Sequence, residues 1–123
     1  AISKHKPESP LLSDSFTMDR WEEAVKQADV LVLAMPCTKE TEGLVDGRIL
    51  SLMKEDAMIV DVARAALIDH EALLRHVKDH PDFHVAMDVW WQENGDWPKE
   101  GDPLLACPNV IGSAHNAEMS STA

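Results

Sequence analysis

Four short runs of apolar and β-branched residues, at 30–35 (VLVLAM), 57–62 (AMIVDV), 84–89 (HVAMDV) and 109–114 (NVIGSA), constrain this chain most. Most lack the polar alternation of a strand with one wet face, so they read as strands of a parallel sheet buried on both faces. Helical patterns separate them. Trp21, Ala24, Val25 and Ala28 form one apolar stripe on a charged segment, with Thr17 as its expected N-cap. A second helix is expected over about 47–53, and a third after a capping Asp69, ending before Pro81. Right-handed crossovers then set the strands side by side in chain order. The expected fold is an α/β layered domain, a parallel sheet of about four strands with helices against its faces.

Composition excludes several roles. With 123 residues, 45% hydrophobic and 27% charged, the chain is expected to fold as one domain around one core. Eleven Lys and Arg against 22 Asp and Glu leave a net charge of −11, which repels phosphate backbones and anionic membranes, so no nucleic acid partner is expected. The longest uncharged apolar run, 30–38, is too short to cross a bilayer, and the first residues have no apolar core of a secretory signal. Cys37 and Cys107 lie in apolar surroundings without CxxC spacing. They read as buried reduced thiols of a cytoplasmic protein, a disulfide being the alternative.

In open α/β sheets, ligands collect beyond the carboxyl ends of the strands. Arg64, Glu93 and His115 follow the second, third and fourth runs, and the long loop at 90–108 leaves the third. A guanidinium can grip a carboxylate, an imidazole can exchange a proton near neutral pH, and a carboxylate can raise that imidazole's pKa. Singly, Arg64 reads equally as a surface ion-pair partner, Glu93 as a solvated loop charge and His115 as an ordinary strand-end histidine. His76, His80 and His84 recur every four residues, but Pro81 breaks the helix that would align them, so no metal site is expected. Trp90, Trp91 and Trp97 are expected to cover the site or to pack against another domain.

Four ordered segments carry a resemblance. Ala28-Asp29 with Pro36-Cys37-Thr38-Lys39-Glu40-Thr41-Glu42-Gly43-Leu44 resembles "AD…PLTPETRGL", and the stretch from Leu52 to Asp69 resembles "LMKPGAVLVNTARGGLVD". Ala86 to Glu93 is similar to "ALDVFEPEP", and Asp102 to His115 to "HPLL…PNVVLTPH". These are motifs of the D-isomer-specific 2-hydroxyacid dehydrogenases, in the later part of their NAD(P)-binding domain. The resemblance implies a Rossmann-like partial domain over 1–123, without the first βαβ unit and without a separate substrate domain. It implies hydride transfer between NADP or NAD and a 2-oxo or 2-hydroxy acid. Arg64 would bind the substrate carboxylate, His115 would protonate the carbonyl oxygen and Glu93 would tune His115. Asp88 would hold the nicotinamide carboxamide, while Pro36, Cys37, Val62 and Ala63 would line the cofactor. Ser3 stands where the ribose-binding acid is expected, with Lys4 beside it, which favours NADP.

The departures are as informative. Glycines at 43, 47, 95, 101 and 112 supply no G-x-G-x-x-G phosphate cradle. Asp61 replaces an asparagine, Ala65 a glycine, Ala114 a proline and Glu118 a glycine. The chain is therefore expected to be a fragment inactive alone, with the strand at 30–35 left as an open edge for self-association. The rival expectation is a non-enzymatic α/β module that binds a partner through that edge and the tryptophan loop.

Overall fold

The structure, a computed structural model, describes residues 1–92 and 97–117. Two short strands come first, β1 (Ile2–Ser3) and β2 (Phe16–Thr17), paired in parallel as a separate sheet. The four apolar runs then give β3 (Val30–Leu33), β4 (Met58–Asp61), β5 (His84–Met87) and β6 (Val110–Gly112). They form one parallel sheet in the order β3-β4-β5-β6, the order of the chain. This is the α/β layered parallel sheet expected from the strand and helix pattern, in the Rossmann-like arrangement that the resemblance implies.

Three helices lie between the strands: α1 (Trp21–Gln27), α2 (Gly47–Leu52) and α3 (His70–Asp79). The Asp69 carboxylate accepts from the Ala72 N–H at 2.9 Å and opens α3 as expected, and Asp46 does the same for α2 through Ile49 at 3.0 Å. Thr17 does not cap α1. It precedes a short 3-10 turn, Met18–Arg20, and its hydroxyl instead serves the Asp19 carboxylate, holding that group below its usual pKa.

Leu31, Leu33, Ile59, Val85 and Met87 share one buried cluster with Val25, Ile49, Leu50, Leu73 and Val77 of the helices. The alternate residues behave differently from the reading of doubly buried strands. Val30, Val32 and Ile111 are 52%, 57% and 67% exposed. The cause is the strand order: successive right-handed crossovers in one direction deliver every helix to the same face. Among the described residues the helices cover that face, and the other stays open. At the far end of the core, the Asn109 Nδ2 donates to the carbonyls of Val77, His80 and Phe83, tying the end of α3 to the approach to β6.

Candidate active site

Adjacent parallel strands release their loops on one rim, and three of the expected residues follow three neighbours there. Arg64 comes after β4, Asp88 after β5 and His115 after β6. The Asp61 Oδ1 accepts from the Ala63 N–H at 2.9 Å, which turns the chain as it leaves β4. Arg64 then lies in extended backbone, exposed, with Nη1 donating to the Ala63 carbonyl at 2.6 Å. Pro36 and Cys37, arriving from β3, join Ala63 and Arg64 around a shallow cavity of about 580 Å³. Val62, 41% exposed, lies beside it in sequence.

The second group centres on Asp88. Its buried carboxylate accepts from the Ser113 hydroxyl and from the backbone N–H groups of Asn116 at 3.0 Å and Ala117 at 2.8 Å. Burial pushes its pKa up, but the bonds from Ser113, Ala117 and Asn116, with the His115 charge, outweigh it and hold the carboxyl below its usual value. His115 takes a left-handed backbone, φ +51°, inside the turn that Asp88 closes. Trp90 supports that turn from below: it is buried, its Nε1 donates to the Ser113 carbonyl at 2.8 Å, and its ring passes under Gly112.

Asp61 is fully buried at the end of β4, and its Oδ2 is without a hydrogen-bond partner among the described residues. Burial pushes its pKa up to about 6, against the Ala63 and Arg64 N–H groups and the Arg64 charge.

The other residues singled out in the sequence lie on several elements. Trp90 is core, not cover, and the half-buried Trp91 donates to the Ile68 carbonyl and meets His70 edge-on at 4.7 Å; Trp97 is exposed. Cys37 and Cys107 are both free, but only Cys107 is buried, because Cys37 sits on the cavity rim. Ser3 and Lys4 are exposed at the end of β1, in the smaller sheet. Glu93 lies outside the described residues. His76 stacks on His80 at 4.1 Å while His84 begins β5, and among the described residues no cluster of three His, Cys, Asp or Glu side chains is placed to hold a metal ion. The sequence reading missed the hold of Asp88 on the 113–117 turn, because two of its three donors are backbone groups. It also missed the His70 Nε2 contact with Asp102, at 2.9 Å.

Residues 1–117 match the family described as "D-isomer specific 2-hydroxyacid dehydrogenase, NAD binding domain". The chain belongs to the D-isomer-specific 2-hydroxyacid dehydrogenase family. It is 37% identical over 98 residues to a D-3-phosphoglycerate dehydrogenase of Methanocaldococcus jannaschii, covering 80% of this chain and 18% of that protein. It is 37% identical over 94 residues to a glyoxylate reductase of Thermococcus gammatolerans, covering 76% and 27%. A D-isomer-specific 2-hydroxyacid dehydrogenase from Xanthobacter autotrophicus Py2, solved with NADPH and MES, shares the fold at a TM-score of 0.86 and 23% identity, over 97% of this chain and 48% of that one. The chain thus spans less than half the length of these dehydrogenases. Among the described residues no helix is long and apolar enough to cross a membrane. For the family's dinucleotide, the wall of Pro36, Cys37 and Ala63 fits a flat, weakly polar ring, whereas the sequence offers its pyrophosphate no glycine-rich turn.

Proposed function

We propose that this chain forms the nicotinamide side of an oxidoreductase acting on small 2-oxo or 2-hydroxy acids, with NADP or NAD as cofactor. The observation that carries the reading is the common rim: Arg64, Asp88 and His115 leave three adjacent parallel strands at the same end. A bound nicotinamide dinucleotide would supply or accept the hydride. The Arg64 guanidinium grips the substrate carboxylate and polarises the neighbouring carbonyl. His115 gives its proton to the carbonyl oxygen during reduction and takes it back during oxidation, and Glu93 raises the basicity of that imidazole. Pro36, Cys37, Val62 and Ala63 exclude water from one face of the ring, and Asp88 takes its place at the carboxamide end. Ser3 and Lys4 favour a 2′-phosphate, hence NADP.

With no phosphate cradle from its own residues, the chain alone binds dinucleotide weakly and does not turn over. We assign it to the cytoplasm, with no nucleic acid partner, on its acidity and its free thiols. Fluorescence titration with NADPH and NADH tests the reading. Binding weaker than about micromolar is expected, tightened by glyoxylate in the parent chain and not in Arg64→Ala. Equal tightening in Arg64→Ala contradicts the role of the guanidinium, and submicromolar binding without glyoxylate contradicts the need for a cradle.

The open edge of β3 favours a second reading, a non-enzymatic module that homo-oligomerises through residues 30–35. Sedimentation separates the two, since that reading requires a dimer that Val32→Lys dissolves.

A further inference from the structure

We propose that Asp61 acts through Arg64 as a positioning residue: when the guanidinium takes a 2-oxo acid carboxylate, the Asp61 carboxyl takes up a proton from solvent. The proposal rests on the reading of Arg64 as the carboxylate-binding group, and adds a second protonation, separate from that of His115.

The geometry begins with strand alternation. Ile59 and Asp61 are the buried positions of β4, so the Asp61 side chain points to the helix-covered face, flanked in register by Leu33 of β3 and Met87 of β5. Asp61 is fully buried, and it serves two loops of the rim. Its carbonyl accepts from the Asp88 N–H at 3.0 Å, and its Oδ1 accepts from the Ala63 N–H at 2.9 Å, one residue before Arg64. Oδ2 has no hydrogen-bond partner among the described residues, so it is the oxygen that holds the proton. The asparagine of the motif would place an amide here, which cannot take up that proton.

The surrounding charges leave Arg64 as its counterpart. On the helices over this face, Asp46 and Asp69 are spent on the N–H groups of Ile49 and Ala72, His70 on Asp102 and Arg48 on Glu22, while Glu71, Arg75 and Lys78 are exposed. The loop after β3 brings the Cys37 thiol to the rim, with Lys39, Glu40 and Glu42 exposed beyond it. The Asp88 carboxylate is engaged by Ser113, Asn116 and Ala117, and the His115 charge acts on it. Burial pushes the Asp61 carboxyl up to about 6, and the Arg64 charge works with the Ala63 and Arg64 N–H groups against that rise.

Ionised Asp61 and a substrate carboxylate therefore compete for one cation. An anion seated on Arg64 offsets the charge that favours ionised Asp61, and the buried carboxyl holds a proton instead. The coupling is reciprocal: anion affinity falls as pH rises through about 6, and bound anion raises the Asp61 midpoint to a matching extent.

The test uses the intact chain and oxamate, a 2-oxo acid analogue that accepts no hydride and keeps its single negative charge from about pH 5 to pH 8. In amide shift titrations over that range, the oxamate dissociation constant should rise about three- to tenfold more in the parent than in Asp61→Asn, which keeps His115 and the acceptor for Ala63. Carbon NMR of the Asp61 carboxyl should show its midpoint rising by about half to one pH unit at saturating oxamate, and Arg64→Ala should abolish that rise. A merely structural Asp61 would alter the stability of the chain and leave the two affinity profiles alike. Equal pH dependence in the parent and Asp61→Asn overturns the proposal, as does a carboxyl midpoint that bound oxamate does not move; both results leave the dehydrogenase reading standing. Absence of oxamate binding to either protein at pH 5 overturns the proposal and the Arg64 reading together.

Discussion

At Asp61 the sheet encloses a carboxyl with one oxygen on the Ala63 N–H and the other without a partner among the described residues. Its folded pKa of about 6 lies above the ordinary 3.8, so the folded chain holds the proton more tightly. Its contribution to stability is full below the ordinary value and is lost as pH rises toward 6. Asp61→Asn keeps the acceptor for Ala63 and removes the charge, and should stabilise the chain by about 1–3 kcal/mol at pH 8 with almost no effect at pH 4. Urea midpoints at the two pH values measure this; equal gains at both would mean that Asp61 is not ionising in the core. Asp88 has the opposite character, since its carboxylate is used by three donors. Asp88→Asn leaves one donor without an acceptor and should cost about 1–3 kcal/mol. Faster amide exchange at Asn116 and Ala117, with β3 to β5 unchanged, would place the loss in the His115 turn.

Packing between elements sets two further outcomes. A Cβ on Gly112 of β6 would come within 2.4 Å of the buried Trp90 ring, which cannot swing away without giving up its bond to the Ser113 carbonyl. Gly112→Ala should therefore destabilise by about 1–3 kcal/mol, read as a fall in urea midpoint. Along α3, burial pushes the His76 pKa down to about 4, with His80 adding to the shift and Asp79 opposing it. This contribution is full above 6.5 and is lost as pH falls through 4, a cost of about 1–2 kcal/mol once screening of a half-exposed ring is allowed for. Asp61 and His76 thus tilt stability in opposite directions over nearly the same range. Stability of the parent chain should be nearly flat there, falling toward acid in Asp61→Asn and toward base in His76→Phe. The strands and helices were legible because apolar runs and the Asp69 cap are local signals. β1 and β2 were not, since two-residue strands carry no periodicity.

Across the whole molecule, chain-order pairing of β3 to β6 was readable from the runs, and it alone brings Arg64 and His115 to one rim. The bare face was not readable, because apolar residues such as Val32 and Ile111 look buried in sequence whether or not something covers them. The resemblance offers Asp88 as the group at the nicotinamide carboxamide, but its hold on the His115 turn was not legible, because its partners lie on the turn after β6, more than twenty residues on. The most direct test of the rim as the reaction site is amide shift mapping of the intact chain during titration with NADPH and glyoxylate. The account predicts changes concentrated at Cys37, Ala63, Arg64, Asp88, Ser113 and His115. Changes confined to α3 and the helix-covered face, with Arg64 and His115 unmoved, would contradict it.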